Sequence, residues 1–382
     1  AGADLVTLTA TGTVTATAFG GAGNDTVNFT GAQVFGGYVD LGSGADTIQV
    51  VSSATVNGAN VFGGEGNDTL RFQNALINTT VGAGSGADLL SFSAGQALTT
   101  TLVFGGKQKD TISLIGGETA AAASIGGGKG ADYLNLSAAG ALASTNVGGG
   151  QGGDSIRLGT AAIGSVSGGG MNDTIRVIGQ YAGGAIYGDG KGVTTAGTGT
   201  GGAADGTDSI TVGATLAGSA SIYGGGANDT ITVLSGLGTQ GGFTTIIDGG
   251  NGADSITLAG SAVATSMVFG SVNGGAGADT LNFGSTLNTI LVGTALGTIA
   301  GGAGSDLLIF NASANAAANS TVANSTISQF SVNAVIAGGS GDTVRIANLS
   351  NGGVAAATGL TAANWNTTTS VASIWVASTL SA

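Results

Sequence analysis

An aspartate returns about every 21 residues along this chain, a period that marks a stacked repeat array. The column runs Asp4, Asp25, Asp46, Asp68, Asp88, Asp110, Asp132, Asp154, Asp173, Asp208, Asp229, Asp254, Asp279, Asp306 and Asp342. Most copies carry two glycines, a variable residue, another glycine and another variable residue before the Asp, as in Gly20-Gly21-Ala22-Gly23-Asn24-Asp25-Thr26-Val27 and Gly274-Gly275-Ala276-Gly277-Ala278-Asp279-Thr280-Leu281. A unit this small cannot bury its own apolar side, so each copy must be one coil of a solenoid leaning on its neighbours.

The residues after each aspartate alternate. The second is aliphatic (Val27, Ile48, Leu70, Ile112), the third mostly polar (Asn28, Gln49, Arg71, Ser113) and the fourth apolar again (Phe29, Val50, Phe72, Leu114). Period-2 alternation predicts a short strand with one buried face. Seven residues before the Asp a second apolar column (Val39, Val61, Val81, Val103, Ile125) predicts another strand, preceded at two residues' distance by small side chains such as Ala16, Ala59 and Thr79. Each coil then reads strand, glycine-rich turn with Asp, strand, and a shorter return turn such as Thr30-Gly31-Ala32. Stacked, these give two parallel sheets around a thin aliphatic core. About 15 to 17 coils at roughly 4.8 Å each make a rod on the order of 75 Å long.

Composition narrows the chemistry. There are 77 glycines and no Pro, Cys or His in 382 residues. Disulfides, thiolate catalysis and the usual general base are therefore excluded, as are soft-metal sites. The formal charge is −13, and of 21 acidic residues the 15 column aspartates are placed, not scattered. Such a balance argues against nucleic acid and anionic membranes as partners and for cations. No apolar run is long enough to span a bilayer.

Glycine turns direct backbone carbonyl oxygens inward, and Asp adds a carboxylate. Six to eight hard oxygens suit Ca²⁺ better than Mg²⁺, which demands stricter geometry. Carboxylates stacked at strand spacing repel by roughly 1 kcal/mol per pair even in water, so the edge calls for a counter-cation. The competing expectation is that each Asp only caps its turn; capping alone would admit Asn or Ser, and the column stays Asp.

The repeated motif resembles the nonapeptide G-G-x-G-x-D-x-U-x of the RTX family of secreted calcium-binding proteins, over most of residues 1–346. The resemblance implies an all-β, right-handed parallel β-roll or β-helix. It implies Ca²⁺ between the turns of successive coils, with the 15 column aspartates as ligands. One motif per coil implies a metal row on one edge only. Some copies depart from the pattern: Lys107-Gln108-Lys109 precedes Asp110, Met171 and Ala227 replace a turn glycine, and the turn before Asp342 is one residue short. Asp40 and Asp248 are further candidate ligands or solvated carboxylates.

The motif around Asp4 lacks its leading glycines, which predicts residues ahead of Ala1. Residues 188–207 read as a loop insertion in which Asp189 and Asp205 are a further candidate cation pair, with solvated carboxylates as the alternative. Residues 311–335 read as an Asp-free extra coil or loop. Residues 347–382, with Trp365, Trp375 and a strand over 371–376, read as a C-terminal cap; in proteins that the chain resembles, such a segment directs type I secretion.

Three functions fit. The chain resembles RTX S-layer proteins of Gram-negative bacteria, which implies a secreted building block that folds and self-associates on a cell surface when it binds Ca²⁺, a surface glycan or polysaccharide being a possible partner. A calcium-rigidified adhesin stalk or matrix filament is the alternative, and the export domain of an RTX hydrolase is the third. No nucleophile with an adjacent base is present, so the chain itself is not expected to be an enzyme. An ice-binding ladder of Thr and Asn is spoiled by Glu65, Ser85, Lys129 and Gln151.

Overall fold

The computed structural model describes residues 2–9, 11–31, 33–51, 55–93, 97–159, 164–190, 205–214, 216–217, 219–234, 245–259, 267–269, 271–283, 290–292, 298–311, 335–337, 343–347 and 373–376. They form strands joined by turns, bends and irregular stretches, with no helix among them. The chain divides into two units, Ala1–Gly179 and Gln180–Ala382.

In the first unit the coils from Asp4 to Asp132 have three strands each where the sequence predicts two. The coil after Asp68 shows the plan: Thr69–Phe72 follows the aspartate, Leu76–Ile77 forms a third side, and Thr80–Ser85 runs into the next glycine turn. Each pairs in parallel with the equivalent strand one coil away on either side, so Leu70 lies between Ile48 and Leu90, Leu76 between Val56 and Leu98, and Val81 between Val61 and Val103. The result is a parallel β-solenoid with an aspartate-following sheet, a glycine sheet and a third sheet. The return turn at Thr30-Gly31-Ala32 is thus followed by a strand, Gln33–Phe35.

Alternation fills the interior. Val27, Ile48, Leu70, Leu90 and Ile112 line one column and Phe29, Val50, Phe72, Phe92 and Leu114 the next, all buried. Val39, Val61, Val81 and Val103 face them from the glycine sheet, and Phe35, Val56, Leu76 and Leu98 close the third side. Phe72 and Phe92 stack at 5.3 Å between ring centroids, and Phe29 meets Phe35 across the coil at 4.7 Å. Burying each such side chain contributes about 1.5–3 kcal/mol, and identical columns let every coil reuse its neighbour's packing.

The second unit has the same construction. Its aspartate-following strands run from Ser209–Val212 to Leu307–Asn311, then Thr343–Ala347, and Ser373–Val376 joins the same sheet. Leu307–Asn311 pairs directly with Thr343–Ala347, so the long gap before Asp342 contributes no extra strand to this sheet. The strand expected in the tail is Ser373–Val376, which adds in parallel to Thr343–Ala347. Residues 191–204 of the first insertion, 312–334 of the second, 348–372 and 377–382 of the tail, and Asp342 lie outside the described residues.

Candidate metal edge

Among the described residues, thirteen column aspartates sit buried where the glycine turn meets the aspartate-following strand. Asp25, Asp46, Asp68, Asp88, Asp110, Asp132, Asp154, Asp173, Asp208, Asp229, Asp254, Asp279 and Asp306 are at most 3% exposed. Asp4, in the first coil, is exposed. An exposed turn concavity, the natural setting for a capping Asp, is therefore not what the fold builds.

The carboxylates are tied into a ladder by one oxygen each. The backbone N–H of Asp4 donates to Oδ1 of Asp25 at 2.7 Å, Asp25 to Asp46 at 2.6 Å, Asp46 to Asp68 at 2.8 Å and Asp68 to Asp88 at 2.7 Å. The same bond continues through Asp110, Asp132, Asp154 and Asp173. Within the second unit it joins Asp208, Asp229, Asp254, Asp279 and Asp306. Capping thus runs between coils, not within one turn.

The other oxygen is different. In Asp25, Asp46, Asp68, Asp88, Asp110, Asp132, Asp154, Asp229, Asp254 and Asp279, Oδ2 is buried with no hydrogen-bond partner. In Asp25, Asp68, Asp110, Asp132, Asp154, Asp229, Asp254 and Asp279 it lies over the first glycine of its own motif, on the side where the carbonyl oxygen of the equivalent residue in the next coil also stands; for Asp46 and Asp88 that position is Leu41 and Ala83. A Cβ on Gly20 would overlap Asp25 Oδ2 and stand 2.5 Å from the oxygen of Leu41. On Gly63, Gly105 and Gly127 it would overlap the Oδ2 of Asp68, Asp110 and Asp132 and stand 2.6 Å from the oxygens of Ala83, Gly127 and Gly149. At these four glycines a side chain would have to displace acceptor oxygens, whereas the equivalent positions before Asp46 and Asp88 are Leu41 and Ala83.

A carboxylate oxygen and a carbonyl oxygen are both acceptors, so they cannot satisfy each other. Leaving a charged group buried in this way costs several kcal/mol unless a proton or a cation joins it. The titration of the row reflects this. Burial, the largest cause, pushes Asp68, Asp110, Asp154 and Asp254 up to about 7, Asp279 to about 6 and Asp229 to about 9. The hydrogen bond from the preceding aspartate's N–H opposes the shift, and neighbouring carboxylates add to it.

The irregular copies at Asp110, Asp173 and Asp229 keep the geometry. Lys107 and Lys109 are exposed while Asp110 beside them is fully buried in the ladder. Gln108, Met171 and Ala227 hold the left-handed backbone of the glycine they replace, with φ of 75°, 73° and 66°. Asp40 turns to the outer face and accepts bonds from Tyr38 Oη and Gly42 N, both at 3.2 Å. Asp248 is buried and accepts from Asn273 Nδ2 at 3.3 Å. Asp189 is buried as well, not a solvated loop residue: its Oδ1 accepts from Gly206 N at 3.1 Å and its Oδ2 from Gly226 N at 2.7 Å. It pins the start of the 188–207 insertion to the far end and to the next coil.

The expected inward carbonyls come from the leading position of the motif, here Leu41, Ala83, Gly127 and Gly149. One part of the edge escapes the sequence reading. The residue before the Asp is Asn in some coils, and its amide oxygen caps the next turn: Asn24 accepts from Ala45 N, Asn67 from Ala87 N and Asn228 from Ala253 N, at 2.9, 2.9 and 2.7 Å. The Asn-Asp dipeptide was the available signal.

No protein-family model matches the chain, and no curated protein does. Among solved structures, one described as a hyperactive, Ca²⁺-dependent, β-helical antifreeze protein from an Antarctic bacterium is similar, with 20% identity and a TM-score of 0.48, over 81% of this chain and 83% of that one. The solenoid architecture stands on the strand pairings themselves.

Proposed function

We propose that this chain is a calcium-stiffened structural solenoid, secreted and folded outside the cell, where it serves as a subunit of a cell-surface layer. The observation that carries the metal assignment is the set of ten buried Oδ2 atoms without a partner, spread along a described edge that also offers backbone carbonyls. Ca²⁺ is held by six to eight such oxygens in flexible geometry. The Oδ2 atoms of Asp25 to Asp154 and of Asp229, Asp254 and Asp279 would hold it, together with the facing carbonyls. Bound there it supplies positive charge between successive coils, and its binding energy becomes folding energy. A chain that needs the ion for folding stays unfolded during export from a low-calcium compartment and folds after it.

Assembly into a layer is supported by the outer face of the glycine sheet. Phe19, Tyr38 and Phe62 form an outward stripe with centroids 5.8 Å apart, and Phe104 continues it at 6.4 Å. Phe19 is 69% exposed and Leu102 beside Phe104 45%, an apolar strip suited to a neighbouring copy. An enzymatic role has no support among the described residues, and the chain has neither His nor Cys. An ice-binding role would want a regular ladder, and the in-register column Glu65, Ser85, Lys107, Lys129, Gln151 is irregular in size and charge.

Calcium titration of the purified chain, followed by circular dichroism, tests the metal assignment. Strand signal that is lost in excess EGTA and returns with Ca²⁺, but not with equimolar Mg²⁺, is the expected result. Equal strand content with and without chelator would refute it. Electron microscopy in Ca²⁺ tests the assembly: ordered sheets support the layer, and isolated rods select a stalk.

A further inference from the structure

The formal charge of −13 misdescribes the surface of the first unit. Between Ser85 and Gly179 the acidic residues are Asp88, Asp110, Glu118, Asp132, Asp154 and Asp173, and all six are buried. The basic residues in the same stretch, Lys107, Lys109, Lys129, Arg157 and Arg176, are all exposed. Once the aspartate row is neutralised, every charge that this stretch presents to solvent is positive.

Four of the five cations are also ordered in register. Lys107 and Lys129 are register partners in adjacent coils, each three residues before its aspartate. Arg157 and Arg176 are register partners too, each three residues after its own. The two ladders therefore flank the aspartate turns, one on each adjoining sheet, at the strand spacing of about 4.8 Å. Like charges held that close repel, and the one acidic side chain of the lysine column, Glu65, lies two coils beyond Lys107. Beside the lysine ladder the outer face of the glycine sheet is bare backbone: a side chain at Gly148 would meet nothing within 4 Å, and one at Gly126 only the oxygen of Gly148 at 3.9 Å. The ring of Phe104 stands at one end of this floor, in register with Gly126.

We infer that this stripe docks an anionic polysaccharide. A smooth narrow floor with an aromatic ring at its end fits a slender sugar chain, whose rings pack on aromatic faces and whose carboxylate or sulfate groups recur on about the length of one coil. A duplex nucleic acid would need a broader basic face, and a bilayer an exposed apolar one. The inference rests on the filled aspartate row of the proposed function, since an ionised, unfilled row would cancel the stripe from within.

The test uses the full chain in Ca²⁺ with three probes: chondroitin sulfate, uncharged dextran of similar length, and duplex DNA, each measured by isothermal titration calorimetry at low and moderate salt. Chondroitin sulfate is expected to bind with an affinity that falls as salt rises, dextran not to bind, and DNA to bind more weakly. A combined Lys107→Gln, Lys109→Gln, Lys129→Gln, Arg157→Gln, Arg176→Gln variant should bind chondroitin sulfate at least about tenfold more weakly, whereas Arg71→Gln, outside the stripe, should not. Calcium uptake and circular dichroism of both variants should match the parent. Undiminished binding by the combined variant, equal binding of dextran, or tighter binding of DNA would each overturn the inference. Calcium uptake without any chondroitin sulfate binding defeats this inference alone; no calcium uptake defeats the proposed function and this inference with it.

Discussion

Two corners of the coil turn polar side chains inward, and they end very differently. At the corner between the third sheet and the glycine sheet, Thr79, Thr101 and Thr145 are buried. Their hydroxyls are donors, and carbonyls are at hand: Thr79 donates to Ile77 O at 2.9 Å, Thr101 to Leu76 O at 3.0 Å and Thr99 O at 3.1 Å, and Thr145 to Ala143 O at 3.3 Å. At the aspartate corner the carboxylate also meets a carbonyl, but an acceptor facing an acceptor stays unsatisfied. The threonine column is complete as built, and Ala123 in the same column shows that the hydroxyl is dispensable. The aspartate corner requires a third party. Burial of a polar group thus separates scaffold from site only when the direction of its hydrogen bonding is followed.

The largest way to probe the difference is pH in the absence of metal. Protonated Oδ2 becomes a donor and can face the carbonyl, doing what the threonine hydroxyl does at its corner. Asp68, Asp110, Asp154 and Asp254 are raised to about 7 in the fold, against about 4 for an unfolded carboxylate. The folded state then holds more protons than the unfolded state, so stability is full below about pH 4 and is lost as pH rises toward about 7. Denaturant midpoints in calcium-free buffer should therefore fall steeply between these pH values and flatten above them, with excess Ca²⁺ abolishing the fall. A midpoint that stayed level or rose with pH would mean that Oδ2 already has a partner.

A single substitution sharpens the contrast further. Asp110→Asn keeps an oxygen for the N–H of Asp88 and places an NH₂ group toward the carbonyl of Gly127, so it closes the corner without metal. In chelator at neutral pH the variant should be more stable than the parent by about 1–3 kcal/mol, the cost of one unsatisfied buried group. In Ca²⁺ the order should reverse, with fewer ions bound. Calorimetric stability with and without Ca²⁺ reads both signs. Destabilisation in both conditions would give Asp110 a purely structural role.

The contrast also explains what the sequence could disclose. The aspartate corner is marked by glycines because left-handed torsions and crowding oxygens leave no room for a Cβ, as at Gly64 with φ of 116° and Gly66 with φ of 113°. Its position, the alternating strands on either side and the single edge were all legible. The threonine corner turns on one left-handed residue that need not be glycine: Asn78, Thr100, Ala122 and Ser144 hold φ of 49°, 49°, 52° and 52°. The third-sheet strands before it are as short as Leu76–Ile77 and Leu142–Ala143. Two residues carry no period and the corner carries no motif, so a three-sided coil reads as a two-sided one. The inward carbonyls were legible through their glycine turns, but which residue supplies each oxygen was not, since Leu41 and Ala83 serve as well.

The smallest effect belongs to the closed corner. Thr101→Val keeps the volume and removes the hydroxyl that bridges Leu76 O and Thr99 O. Those carbonyls can also accept from the backbone ladder, so they lose a second partner and not their first, and the expected cost is about 1 kcal/mol. Because no ion depends on this column, the loss should be the same in Ca²⁺ and in chelator at acid pH, and calcium stoichiometry should not change. Thermal unfolding of the variant under both conditions measures it. A loss that appeared only with Ca²⁺ present would tie the threonine corner to the metal edge and break the division between them.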